Sequence, residues 1–250
     1  MLFKRIFQFL IIYCLGLLLL LLLKYAAGLS DYVIPAPMEL WKTIITLFRQ
    51  YCADVFDTLS VAVIGQVLSL CLALGIGVAG RRATWFGSFV KTAAYNVQAY
   101  PIVALAPIIF ILIGDGFISR LLIAAMICYF PLLLSIIGIM SEPVTDVEHF
   151  YIMTGRMRWQ LEIKIRAFEN LQKLTTVISG SATLAMAGTI VAEFIAANAG
   201  IGYSIRIALY QSDLAKILIA LFFIGISLSI YQGILEWIGT WFKKSWANRL

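Results

Sequence analysis

Apolar residues in this chain gather into six long runs separated by short polar segments. The runs are too long for strands and too uniformly apolar for the one-sided stripe of a water-exposed helix. A helix crossing roughly 30 Å of hydrocarbon needs about 20 apolar residues. The pattern therefore predicts spans near 6–25, 58–78, 85–113, 118–140, 174–196 and 214–241. Asp54 and Asp57 introduce the second span and Arg81-Arg82 end it; Tyr100-Pro101 and Pro107 interrupt the third, and Pro131 lies within the fourth. A proline frees a backbone carbonyl, which hydrocarbon tolerates only where other helices or a wet cavity satisfy it. On that reading the third and fourth spans belong in the bundle interior; a simple kink is the other reading.

The first run follows Lys4-Arg5 and precedes Ala26-Ala27, an arrangement shared with signal peptides. Its apolar core of about 18 residues is long enough to span, and it is read as an anchoring helix. Two segments between runs carry information of their own. Residues 31–53 hold Pro35 and Pro37, then Leu40, Ile44, Ile45, Leu47 and Phe48 interspersed with Glu39, Lys42 and Arg49. This mixture predicts an amphipathic helix lying on the membrane surface outside the cell. The connection 142–173 is longer than a turn and mixes charges with large apolar residues, as a loop with a partner does.

Charge orients the chain. With the N-terminus in the cytoplasm, the inner segments hold twelve Lys and Arg against six outside, with Lys91 left within the third span. That is the positive-inside distribution and puts both termini in the cytoplasm. Composition then excludes a water-soluble domain. The chain is 62% hydrophobic and 13% charged, about half the charge of a soluble protein. The net charge of +6 is spread between the runs rather than gathered into a nucleic-acid patch. The fold class expected is an all-α polytopic membrane bundle in one domain, 1–250.

Enzyme signals are absent from the sequence. It has no GxxxxGK[ST] phosphate loop and no HExxH, and its one histidine, His149, reads as a solvated or interface residue. Cys14, Cys71 and Cys128 lie in apolar runs and Cys52 in a loop, without metal-ligand spacing, so no metal site or structural disulfide is expected. Ionisable residues inside spans mark function by default. Glu193, near the outer end of the fifth span, either lines a solute path or pairs with Arg206. Lys91 is expected to snorkel to the cytoplasmic interface, and Glu236 to pair with Lys243 or Lys244. Ser179, Gly180, Ser181, Ala182, Ala185, Ala187 and Gly188 make the fifth span a helix that neighbours can approach closely, and so a central one.

Several motifs occur in a telling order: Ile34-Pro35-Ala36-Pro37, Tyr100-Pro101 with Ala104-Leu105-Ala106-Pro107, Gly114-Asp115-Gly116, Phe130-Pro131, Val191-Ala192-Glu193 and Gly200-Ile201-Gly202-Tyr203. From about Ile34 to the sixth span the chain resembles the inner-membrane permeases of binding-protein-dependent ABC importers, most of all the nitrate/sulfonate/taurine type. The resemblance implies the type I importer permease fold. It also implies a cytoplasmic coupling helix of pattern E-A-A-x-x-x-G, nine residues, then I-x-L-P. Gly155 and Ile165 keep that spacing. His149-Phe150-Tyr151 stand where Glu-Ala-Ala would be, with Glu148 displaced by one place, and Ala167-Phe168 replace Leu-Pro. Arg156, Arg158 and Trp159 keep the loop's character.

The implied partners are two ABC ATPase subunits, a second permease subunit, homologous or identical, and a solute-binding protein outside. No cofactor is expected on this chain, since ATP and Mg would be bound by the ATPase subunits. Tyr100, Pro101, Pro107, Pro131, Ser179, Met186, Glu193, Gly200 and Gly202 are the candidate path or gate residues. Such permeases carry small anions, but an arginine common near residue 179 is a serine here, which is compatible with an uncharged or partly apolar solute. Simultaneous loss of the Glu-Ala-Ala and Leu-Pro elements suggests the divergent half of a heteromeric pair, and an ordinary homodimer is the alternative. A secondary transporter or channel, or a scaffold that no longer transports, are the readings from other classes.

Overall fold

The computed structural model describes residues 2–81, 85–142, 153 and 159–247. Among these the elements are α1 (Leu2–Ala27), α2 (Pro37–Ala79), α3 (Trp85–Ala99), α4 (Ile102–Ile113), α5 (Phe117–Ser141), α6 (Trp159–Glu169), α7 (Leu171–Ile195), α8 (Ile201–Tyr210) and α9 (Leu214–Ala247). Among the described residues five helices are long and apolar enough to cross a membrane, and α3 with α4 make a sixth crossing bent by 86°.

Side-chain contacts fix the direction of each crossing. α2 and α5 run parallel: Arg120 meets Asp57 at one end of the bundle, and the Ser141 hydroxyl donates to the Arg81 carbonyl at the other. α7 runs against them, from Lys173, paired with Glu142, to Glu193 beside Arg120. α9 returns, with its Lys216 carbonyl at the Tyr51 hydroxyl and Gly239 against Thr175 near the start of α7. α1 lies along α9 in the opposite sense, tied by Arg5 to Glu236 and by the Tyr13 hydroxyl to the Leu218 carbonyl. Because α2 ends where α5 ends, α3 and α4 between them must make a crossing. α3 and α4, about 22 and 18 Å long and set nearly at a right angle, reach about 28 Å from end to end, close to one bilayer core.

The centre is α2, α5 and α7. Ala124 of α5 is held between Gly65 of α2 and Gly188 of α7, where added Cβ atoms would sit 3.2 Å from its Cβ and 3.0 Å from its Cα. The small residues of the fifth span do the work expected of them, and α7 is packed on several sides.

Other expectations are corrected. The surface helix in 31–53 and the second span are one 43-residue helix, α2. Neither glycine nor proline occurs between Met38 and Ile64, so nothing stops it, and Asp54 and Asp57 are satisfied inside it by Ser204 and Arg120. The third span is two helices, and it lies at the edge of this chain rather than in its interior. Ile111 and Leu112 are 83% and 77% exposed. Pro131 leaves α5 unbroken. α8, absent from the expected elements, starts after Gly200, whose φ of +89° turns the chain sharply back.

Candidate functional site

The most constrained group joins four helices at the end of the bundle away from Arg81. Glu193 of α7 is 0% exposed. Its carboxylate accepts from Arg120 Nη1 of α5 at 3.2 Å and from the Gly202 backbone N–H of α8 at 3.0 Å. The Thr58 hydroxyl of α2 lies 2.8 and 3.0 Å from its two oxygens. That single proton also reaches the Asp54 carbonyl at 3.0 Å, and the charged acceptor binds it more strongly. Thr58 Oγ1 accepts in turn from the Ile201 N–H at 2.9 Å. Arg120 Nη1 lies 2.5 Å from Asp57 Oδ2, so one guanidinium serves two carboxylates.

Glycine makes room for this. A Cβ on Gly200 would run into the Glu193 carboxyl, and one on Gly202 would lie 2.5 Å from the Ile190 carbonyl. The α7–α8 turn therefore closes directly onto the buried charge. Asp57 is 22 residues from the end of α2, about 33 Å along the helix, so the group sits near one membrane boundary rather than at the midplane.

A second network, mostly of neutral side chains, lies deeper. Gln66 of α2 donates to the Ile178 carbonyl at 2.7 Å and to Ser181 at 2.8 Å, and accepts from the Tyr231 hydroxyl of α9. Gln232 donates to Thr183 at 2.7 Å and accepts from Arg5 at 2.7 Å. Ser69 donates to the Ala125 carbonyl at 2.9 Å. These groups are satisfied within the bundle, which holds α2, α7 and α9 in register.

At the basic end, α6 is clamped to the bundle. Arg81 at the end of α2 pairs with Glu162 at 3.1 Å, their side chains 7% and 9% exposed. Glu162 also pairs with Arg166, which donates to the Met140 carbonyl of α5 at 2.7 Å.

The expected residues scatter over these places. Glu193, Gly200 and Gly202 come together. Tyr100 and Pro101 form the α3–α4 bend, Pro107 lies within α4, and Pro131 within α5. Ser179 and Met186 are buried in α7, Ser179 within 3.5 Å of the Gln232 carbonyl and Met186 in the core. Ile165 is on α6, whose backbone starts at Trp159. Glu148, His149, Phe150, Tyr151, Gly155, Arg156 and Arg158 lie outside the described residues.

Two expected pairings are corrected. Arg206 donates to the carbonyls of Phe194 and Ala197 and leaves Glu193 to Arg120. Glu236 pairs with Arg5 of α1 rather than with Lys243 or Lys244. Sequence reasoning missed Asp57, Thr58, Arg120, Gln66 and Tyr231. The available signal was polar side chains at or inside the ends of apolar runs.

The family described as "Binding-protein-dependent transport system inner membrane component" matches residues 71–247. A riboflavin transport system permease protein of Chloroflexus aurantiacus is 33% identical over 233 residues, covering 88% of this chain and 85% of the relative. A formylaminopyrimidine transport permease protein of Halalkalibacterium halodurans is 24% identical over 189 residues, 74% of each chain.

Proposed function

We infer, for a chain that belongs to the family of binding-protein-dependent transport system inner membrane components, that it is the permease subunit of an ATP-driven importer for an uncharged heteroaromatic solute. The observation that carries this reading is the broken α3–α4 crossing, joined to a rigid α2–α5–α7 core but covered by this chain on one side only. A second permease subunit, facing it, would complete a pathway between the two. The solute class rests on the relatives named for riboflavin and for formylaminopyrimidine, both ring systems edged with amide-like groups. The motif order of the nitrate/sulfonate/taurine type supports placing the chain near that branch.

In this scheme the basic end faces the cytoplasm, as the Lys and Arg distribution favours, and both termini with it. The segment around Gly155 docks on an ATPase subunit, ATP and Mg being held there and not on this chain. Closure of two ATPases moves the docked segments together. The Arg81–Glu162 and Arg166–Met140 contacts would carry that movement into α2 and α5. The Glu193 group keeps the opposite end rigid, so the bundle rocks as a body between outward and inward access. A solute-binding protein delivers the solute outside. The altered Glu-Ala-Ala and Leu-Pro positions favour a heteromeric pair, in which the other permease carries the intact coupling pattern.

The test is reconstitution of the complete complex in proteoliposomes, with uptake of riboflavin and of a formylaminopyrimidine measured. ATP-dependent uptake of one is expected, abolished when the ATPase phosphate-loop lysine is replaced. Uptake that survives this replacement would overturn the importer reading, and uptake of neither compound would overturn the solute class. Native mass measurement should find two different permease chains; two copies of this one would remove the heteromeric part.

A further inference from the structure

α3 exposes a row of polar side chains where a helix turned wholly to lipid should not have one. On one side Gly87 and Ala94 are buried, and Val90 packs with Ala94 against the core cluster that holds Ala73, Cys128 and Leu132. On the side away from Ala94, at four-residue spacing along the helix, stand Ser88, Thr92 and Asn96, all exposed, alongside the exposed and mutually stacked rings of Trp85 and Phe89. Tyr95 and Tyr100, 63% and 65% exposed, flank this row. None of the three polar side chains has a hydrogen-bond partner among the described residues. Yet α3 is half of the bent α3–α4 crossing. A carboxamide turned to lipid with nothing to bond is strongly disfavoured, so such a face belongs to a wet pathway.

We propose that this face of α3 is the solute-contacting wall of the pathway, with Asn96, Thr92 and Ser88 bonding the ring edge and Tyr95 and Tyr100 stacking on the ring of a neutral heteroaromatic solute. The assignment rests on the importer reading and adds the residues that recognise the cargo. Asn96 offers one acceptor and two donors, the complement of an amide or imide edge on a flavin or pyrimidine. Two phenol rings supply flat contact area at small entropic cost. The exposed row carries no cation, as an anion site would require, and Lys91 lies towards the packed side, half-buried.

The experiment uses the whole complex, with its ATPases and binding protein, in proteoliposomes with riboflavin and a formylaminopyrimidine as probes. A binding protein sets the apparent KM, so the uptake rate at saturating loaded binding protein is the quantity to read. Asn96→Leu and Tyr95→Leu are expected to lower that rate roughly tenfold, the size of one lost hydrogen bond or stacking contact. Leu19→Ala on α1 should leave both the rate and the basal ATPase activity at their wild-type values, and Tyr95→Phe, which keeps the ring, should restore most of what Tyr95→Leu loses. In a cysteine-free background Thr92→Cys should react with a water-soluble thiol reagent, and the transported probe should slow that reaction. Wild-type uptake with unchanged rates in both leucine variants overturns this wall while the importer reading stands. An unreactive Thr92→Cys, as would follow if a second copy sealed the face, overturns it too. Uptake of neither probe overturns the heteroaromatic solute and the wall together.

Discussion

Arg120 of α5 reaches the fully buried Glu193 of α7 at 3.2 Å, although 73 residues separate them. The same nitrogen lies 2.5 Å from Asp57, so the two ion pairs are unequal in what their loss exposes. Arg120→Ala strands Glu193 in a space closed to water, and breaking a buried pair from that side costs about 3–5 kcal/mol. Glu193→Ala leaves Arg120 with Asp57 and should cost about 1–3 kcal/mol, the range for an unmade buried polar contact. Asp57 is 40% exposed on its side chain, so Asp57→Asn should cost under about 1 kcal/mol. Thermal unfolding of the three variants in one detergent checks the ranking. Equal midpoints for Arg120→Ala and Asp57→Asn would mean the buried carboxylate does not depend on Arg120.

The glycines of the α7–α8 turn should be as intolerant as the charges. Gly200 sits at φ +89°, where a side chain is strained, and a Cβ there would meet the Glu193 carboxyl. Gly202→Ala would push a methyl to 2.5 Å from the Ile190 carbonyl. Overpacking of this kind costs about 1–3 kcal/mol. In both variants α8 should lift from α7, opening the turn to protease added on that side of proteoliposomes. Gly138→Ala, which meets nothing within 4 Å, is the matched control and should remain resistant.

How far the sequence carried the picture depends on the kind of interaction. Membrane crossings are one-dimensional signals, since about 20 apolar residues in a row have few other fates. Five crossings were therefore readable to within a few residues at most ends, and the small residues of α7 foretold its central place. Pro101 announced a break in the third crossing but carried no angle for its 86° bend. Glu193 announces a buried charge, but nearness in sequence points to Arg206 as its partner. Arg120 was reachable only once α5 and α7 were known to pack side by side in opposite directions, a tertiary fact that no local pattern holds. Arg81 read as a topology signal, and its second role at Glu162 was invisible for the same reason.

α1 depends on notches in α9. Phe9 and Leu2 occupy the positions that Cβ atoms on Gly225 and Gly233 would take, and Tyr13 packs on Phe222 with ring centroids 5.1 Å apart. Gly225→Leu should expel Phe9 and separate the helices while the α2–α5–α7 core, which α1 does not enter, stays folded. Cysteines at Tyr13 and Leu218, in an otherwise cysteine-free chain, should be joined by a short bismaleimide in the parent. The Gly225→Leu chain should give no joined product. Joining at the parent rate would show that α1 is held by Arg5–Glu236 instead.

The clamp on α6 yields a prediction about coupling rather than stability. Glu162 stands between Arg81 of α2 and Arg166, and Arg166 reaches the Met140 carbonyl of α5, so α6 is tied to the ends of both core helices. If ATPase movement enters through the segment before α6, it leaves through these contacts. Glu162→Gln keeps the shape and a hydrogen-bonding oxygen but removes the charge that two arginines share. Charge-assisted bonds are roughly twice as strong as neutral ones, so the tie should loosen without dissolving. Uptake per ATP hydrolysed is then expected to fall several-fold with ATPase activity retained, because the motor turns and the bundle follows less. Arg81→Glu alone places two carboxylates side by side and should be worse. Joining it to Glu162→Arg restores opposite charges and should recover part of the yield, although Arg166 then faces a second cation. Parallel loss of ATPase activity and uptake in Glu162→Gln would mean the clamp assembles the complex instead of transmitting its motion.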